Sequence, residues 1–141
     1  MPTTLNLKHS VTIEAPPTKV WEALTTPDLI KQWFFGVDTE TDWKEGSPIV
    51  HRGEWQGKPY EDKGVIVTFE PERALVHTHW SPASGLPDSE ENYQRVAWTL
   101  SGDDGKTELT VTETNLPSEE AKSTSESSWE MVLGKLKTLL E

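Results

Sequence analysis

Residues 117–141 read PSEEAKSTSESSWEMVLGKLKTLLE, and this closing stretch decides the fold. Trp129, Val132, Leu133, Leu136, Leu139 and Leu140 recur at the spacing of an amphipathic helix, so its C-terminal half must dock an apolar stripe on another element. The preceding half, Ser118 to Ser128, carries almost no apolar residue beyond Ala121. That half stays wet, begins its helix late, or covers something other than a dry core. A lone long helix needs a broad partner surface, and the upstream sequence supplies strands for it.

Residues 5 to 14 alternate, with Leu5, Leu7, His9, Val11 and Ile13 on one face and polar side chains on the other, as in a strand with one wet side. Ala15-Pro16-Pro17 stops it, and a helix over 17–25 follows from proline at its first turn and the Val20, Trp21, Leu24 spacing. Thr26-Pro27-Asp28 starts a second short helix, with the Thr26 hydroxyl as cap, a carboxylate at the positive end of the dipole, and Gly36 as its stop. Turn chemistry at 45–48, 56–59, 70–72, 81–92 and 102–105 then bounds strands near 39–44, 48–55, 60–70, 73–80, 92–101 and 106–114. Val65, Val67 and Phe69 alternate, as do Val96, Trp98 and Leu100. Short loops between consecutive strands predict an antiparallel meander. The expected architecture is α+β: a curved antiparallel sheet of six to seven strands, two short helices and one long C-terminal helix, in a single domain over 1–141. Two short helices plug only one end of such a sheet, so a cavity is expected under the long helix.

Composition narrows the function. A formal net charge of −11, from 13 Lys+Arg against 24 Asp+Glu, repels a nucleic-acid backbone or an anionic membrane surface. The absence of cysteine removes disulfides, thiolate nucleophiles and the usual structural zinc sites. No apolar run approaches the ~18 residues of a membrane span, and the first residues carry no export signal, which points to a cytoplasmic protein without membrane insertion. Seven tryptophans in a chain that is 33% hydrophobic place much of the apolar volume in a few flat rings, and such rings also line pockets.

The stretch Val11-x-Ile13-x-Ala15-Pro16-x-x-x-Val20-Trp21-Glu22-Ala23-Leu24-Thr25-x-Pro27, followed by Trp33-Phe34, resembles the opening of the activator of heat-shock-protein-90 ATPase homologue family, within the START and birch-pollen-allergen-like (SRPBCC) superfamily. Gly64-Val65-Ile66, Leu75-Val76-x-Thr78-x-Trp80, Val96-x-Trp98-x-Leu100, Thr107-x-Leu109-Thr110-Val111 and Trp129-x-x-x-Leu133-x-x-Leu136-Lys137 are similar to its later landmarks. The resemblance implies a helix-grip fold with a hydrophobic cavity between sheet and long helix. It does not choose among the superfamily's lipid carriers, hormone receptors, cyclases and co-chaperone domain.

The expected role is to hold a small hydrophobic ligand, lipid-like or aromatic. Trp33 and Phe34 would form one wall, Val65, Val67, Phe69, Val96 and Trp98 the floor, and Trp129 with Val132 the lid. Trp55 and His77 complete the expected set, and Tyr60, His77 or Arg95 would orient the ligand. Phe35, Trp43 and Trp80 are further stacking candidates, each weighed against a plain core role. His51, His77 and His79 could converge as a three-histidine metal site, but no acidic ligand accompanies them, so neither metal nor cofactor is expected. Proton chemistry would fall to His77, His79, Glu54, Glu61 or Arg95, and no nucleophile elbow supports acyl transfer. A chaperone partner met through the acidic surface and a cyclase-like or hydrolase-like enzyme are the alternatives.

Overall fold

The computed structural model describes residues 5–34, 36–82, 86–103, 105–116 and 118–141; Phe35 and the side chain of Trp55 lie outside the described residues. β1 (Leu5–Ile13) is followed by α1 (Pro17–Thr25) and α2 (Pro27–Trp33). β2 (Asp38–Thr41), β3 (Pro48–Trp55), β4 (Lys58–Glu70), β5 (Ala74–His79), β6 (Gln94–Gly102) and β7 (Thr107–Leu116) then lead into α3 (Glu119–Leu140). The strands form one sheet in the order β1-β7-β6-β5-β4-β3-β2, antiparallel throughout. β1 and β2 are its opposite edges, so α1 and α2 carry the chain from one edge to the other and close one end of the concave face. This is the helix-grip fold.

Four physical details set the frame. The apolar stripe of α3 buries Val132, Leu133, Leu136 and Leu140. Lys137 Nζ donates to Thr12 O at 3.1 Å and the Glu14 amide donates to Glu141 at 3.0 Å, which ties the end of that helix to the end of β1. The polar half is helical from Glu119, because Ser118 Oγ accepts the Ala121 amide at 3.1 Å and two glutamates follow at the positive end of the dipole. A late start is therefore ruled out. α2 is locked to α1 by the buried Trp33 indole, which donates to Ala23 O at 2.9 Å.

The structure corrects the sequence reading at four points. Ile66 pairs with His77 but Thr68 pairs with Val76, so a β-bulge at Val67 shifts the alternation of β4. Ile66 and Phe69 consequently share the concave face, while Val65 and Val67 face outward at 42% and 36% exposure and cannot form a cavity floor. The Thr26 side chain makes no cap bond, since this residue ends α1 and begins α2 together, and the neighbouring Thr25 hydroxyl donates back to Trp21 O. β2 stops at Thr41, short of 44, and Trp43 adopts a left-handed φ of 57°. Trp80 lies past the β5 ladder, in an isolated bridge to Lys63, with its ring stacked on Tyr93.

At Gly64 β4 passes so close to β5 that a Cβ there would sit 1.8 Å from Thr78 O. Gly64→Ala is expected to lower stability by about 1–3 kcal/mol in urea denaturation. Gly134, on the open face of α3 with nothing near its Cβ direction, is the control: Gly134→Ala is expected to be neutral or to add up to about 1 kcal/mol.

Candidate ligand cavity

Between the sheet, α2 and the middle of α3 lies a cavity of about 150 Å³. α2 brings Trp33 and Phe34 to it, β6 brings Val96 and Trp98, and α3 brings Trp129 and Val132. The rings form a closed circuit. Trp33 meets Trp98 edge-on at 5.7 Å, Trp98 meets Trp129 edge-on at 5.3 Å, Trp129 lies parallel to Phe34 at 6.5 Å, and Phe34 returns to Trp33 at 5.6 Å. Edge-to-face pairs are favoured by the ring quadrupoles, so the circuit is held as a rigid frame.

One side of the cavity is polar. His51 on β3 and His77 and His79 on β5 all line it, with His51 at 5.8 Å from His77 and 6.3 Å from His79, ring centre to ring centre. Each is oriented by a different partner. Thr39 Oγ1 bonds His51 Nδ1 at 3.0 Å, the His77 Nδ1–H donates to Thr78 O at 2.9 Å, and His79 Nε2 meets Asp62 at 3.1 Å. No cluster of three or more His, Cys, Asp or Glu with metal-holding geometry occurs among the described residues. Burial dominates the electrostatics: it drives the His51 pKa well below the ordinary histidine value, with His77 and His79 adding to the effect. Burial likewise takes His77 down to about 4, against the opposing hydrogen bond to Thr78.

Of the residues expected at the site, Trp33, Phe34, His77, Val96, Trp98, Trp129 and Val132 line this cavity. Phe69 packs behind it, its ring 5.3 Å from Trp21 and 6.3 Å from Trp43, and Val67 is on the far face. Arg95 and Glu54 are exposed, Glu61 pairs with Arg52 on the surface at 2.8 Å, and Tyr60 does not line the cavity. The polar half of α3 contributes Ser125 and Ser128, so it covers the cavity.

Glu113 is the charged lining residue that sequence reasoning missed, along with Thr39 and the apolar Leu24, Ile30, Ile49 and Leu75. It is 6% exposed, lines the cavity, and accepts the Trp129 indole N–H at 2.9 Å. The signal was available, because Leu109, Val111 and Glu113 continue one alternating face of β7 inward.

Residues 14–141 match the profile of the family described as Activator of Hsp90 ATPase homolog 1-like protein. The chain belongs to that family. The structure is similar to that of ChR145 from Cytophaga hutchinsonii, at 43% identity and a TM-score of 0.85, covering 99% of this chain and 96% of that one. It also shares its fold with a protein whose structure is described as the Aha1 dimer from Colwellia psychrerythraea, at 22% identity, a TM-score of 0.76, and 97% and 96% coverage. CalU16 from Micromonospora echinospora superposes at 25% identity and a TM-score of 0.71, covering 98% of this chain and 74% of its own. No curated protein sequence matches the chain.

The depressed histidines make a directional prediction. As pH falls below the ordinary value of 6.5, the unfolded chain takes up a proton that folded His77 refuses until about pH 4, so stability declines across that window. Between pH 7 and 5 this group alone is expected to remove about 2 kcal/mol. Urea titrations at both pH values should show a smaller loss for His77→Gln than for the parent, with His51 supplying a remaining slope of the same sign.

Proposed function

We propose that this family member binds a small apolar molecule of about one aromatic ring in the cavity beneath α3. The observation that carries the reading is the closed ring circuit of Trp33, Trp98, Trp129 and Phe34 around about 150 Å³. That volume is about what an engineered apolar cavity needs to admit benzene. A frame of rings offers dispersion and quadrupole contacts on every side of a flat occupant, and the histidine side supplies an orienting hydrogen bond. A long acyl chain fits this volume poorly, so the aromatic half of the lipid-like or aromatic expectation is favoured.

The test is titration with single-ring aromatics followed by backbone amide shifts. Sub-millimolar binding should perturb residues 75–79, 96–98 and 125–132 together and change tryptophan fluorescence. Val96→Phe, which fills the space, should weaken binding at least about 10-fold, the loss of roughly one buried contact set. If no compound perturbs these segments, or if the filled variant binds as well as the parent, the reading fails.

A second reading, modulation of a chaperone, is supported by the family description and by the net charge of −11. It predicts capture of an Hsp90-type chaperone that is salt-sensitive and indifferent to Val96→Phe.

A further inference from the structure

The strand register places the polar atoms of the cavity in one row. Across the sheet, Leu7 pairs with Glu113, Glu113 with Val96, Val96 with His77, and His77 with Ile66. Glu113 and His77 therefore flank Val96 on either side, their backbones about 10 Å apart at the usual strand spacing.

Each of the two presents an uncommitted acceptor. Glu113 Oε1 takes the Trp129 indole N–H, and no other hydrogen bond or ion pair reaches this carboxylate among the described residues. The only buried side-chain nitrogen or oxygen without a partner, again among the described residues, is Asp62 Oδ1, so Glu113 Oε2 is not sealed away. Glu113 itself lines the cavity, which puts its second carboxylate oxygen within reach of an occupant. His77 commits its Nδ1–H to the Thr78 carbonyl, an acceptor only, so its Nε2 carries a lone pair, and this nitrogen has no partner among the described residues. No Lys or Arg is among the described residues that line the cavity. With burial holding His51 and His77 below the ordinary histidine range, neither supplies a positive charge at neutral pH.

A carboxylate that is 6% exposed and meets one neutral donor is costly to bury unless a cation completes it. Trp98, Trp129 and Phe34 line the same cavity as Glu113, and aromatic faces attract cations. An anionic ligand would add a second negative charge beside Glu113, where no Lys or Arg stands among the described lining residues and the His79 imidazole is already engaged by Asp62. Building on the ligand-binding reading above, we infer that the cavity selects a single-ring aromatic molecule bearing a protonated amine, with the ammonium on Glu113. A second donor on the ligand, where present, would reach His77 Nε2. The acidic net charge raises the local concentration of such cations before they enter.

The experiment compares 2-phenylethylamine, propylbenzene and phenylacetate, which share a ring and differ in head group, by calorimetry and amide shifts at neutral pH. The amine should bind at least about 10-fold tighter than propylbenzene, as expected for a charge-assisted hydrogen bond, and phenylacetate should be weakest. Glu113→Gln, which keeps an oxygen for the Trp129 indole, should bring the amine down to the propylbenzene level while leaving propylbenzene nearly unchanged. The preference should persist at about 0.5 M salt, where exposed charges are screened but a buried pair is not. Propylbenzene binding as well as the amine, phenylacetate binding best, or a preference that salt abolishes would overturn the selectivity and leave the ligand-binding reading standing. Failure of all three to bind the parent protein would remove both. The parent protein alone decides the preference, so a Glu113→Gln variant that folds poorly does not rescue the inference.

Discussion

The docking of Val132, Leu133, Leu136 and Leu140 into the sheet is the interaction on which the molecule depends. It fixes α3 at its C-terminal end, where Lys137 and Glu141 also bind the end of β1, and leaves the earlier turns to run out over the concave face. One helix cannot cover seven strands. The space beneath its polar half is therefore a consequence of topology, and the side chains that line it are free to be chosen for something other than dry packing.

Those side chains divide sharply. The Trp33, Phe34, Trp98 and Trp129 circuit belongs to three different elements, and it closes because α2 is braced on α1 by the Trp33 indole and α3 on β7 by the Trp129 indole. Both braces are hydrogen bonds from the polar edge of a ring whose body is apolar, which is the use to which buried tryptophan is suited. The histidine side follows another rule: three imidazoles stand close together, each turned by a separate partner, and burial suppresses the charge of His51 and His77.

Much of this was legible in the sequence. The strand alternations, the tandem proline-started helices and the 3.6-residue stripe after Trp129 lead to the observed elements with small shifts at their ends. Trp33, Phe34, Val96, Trp98, Trp129 and Val132 could be assembled because the order of strands told which elements face one another. Two features escape that reading, one of them despite a signal in the sequence. The bulge at Val67 moves one residue out of phase, and period-two reasoning then assigns Val65 and Val67 to the wrong face even though Phe69 is inward. Glu113 was passed over because a carboxylate on a strand is read by habit as a wet residue, although its neighbours Val111 and Leu109 had already set that face inward.

The unequal burial along α3 divides the helix into two units of different local stability. Its four buried side chains all lie after Trp129, so unwinding Ser118 to Ser128 breaks helix hydrogen bonds and uncovers the cavity without dismantling the core. Local openings of that kind require less free energy than global unfolding. The polar half of the helix can thus act as a door hung on the apolar half, and amide exchange in its first three turns would run far ahead of exchange in the last three.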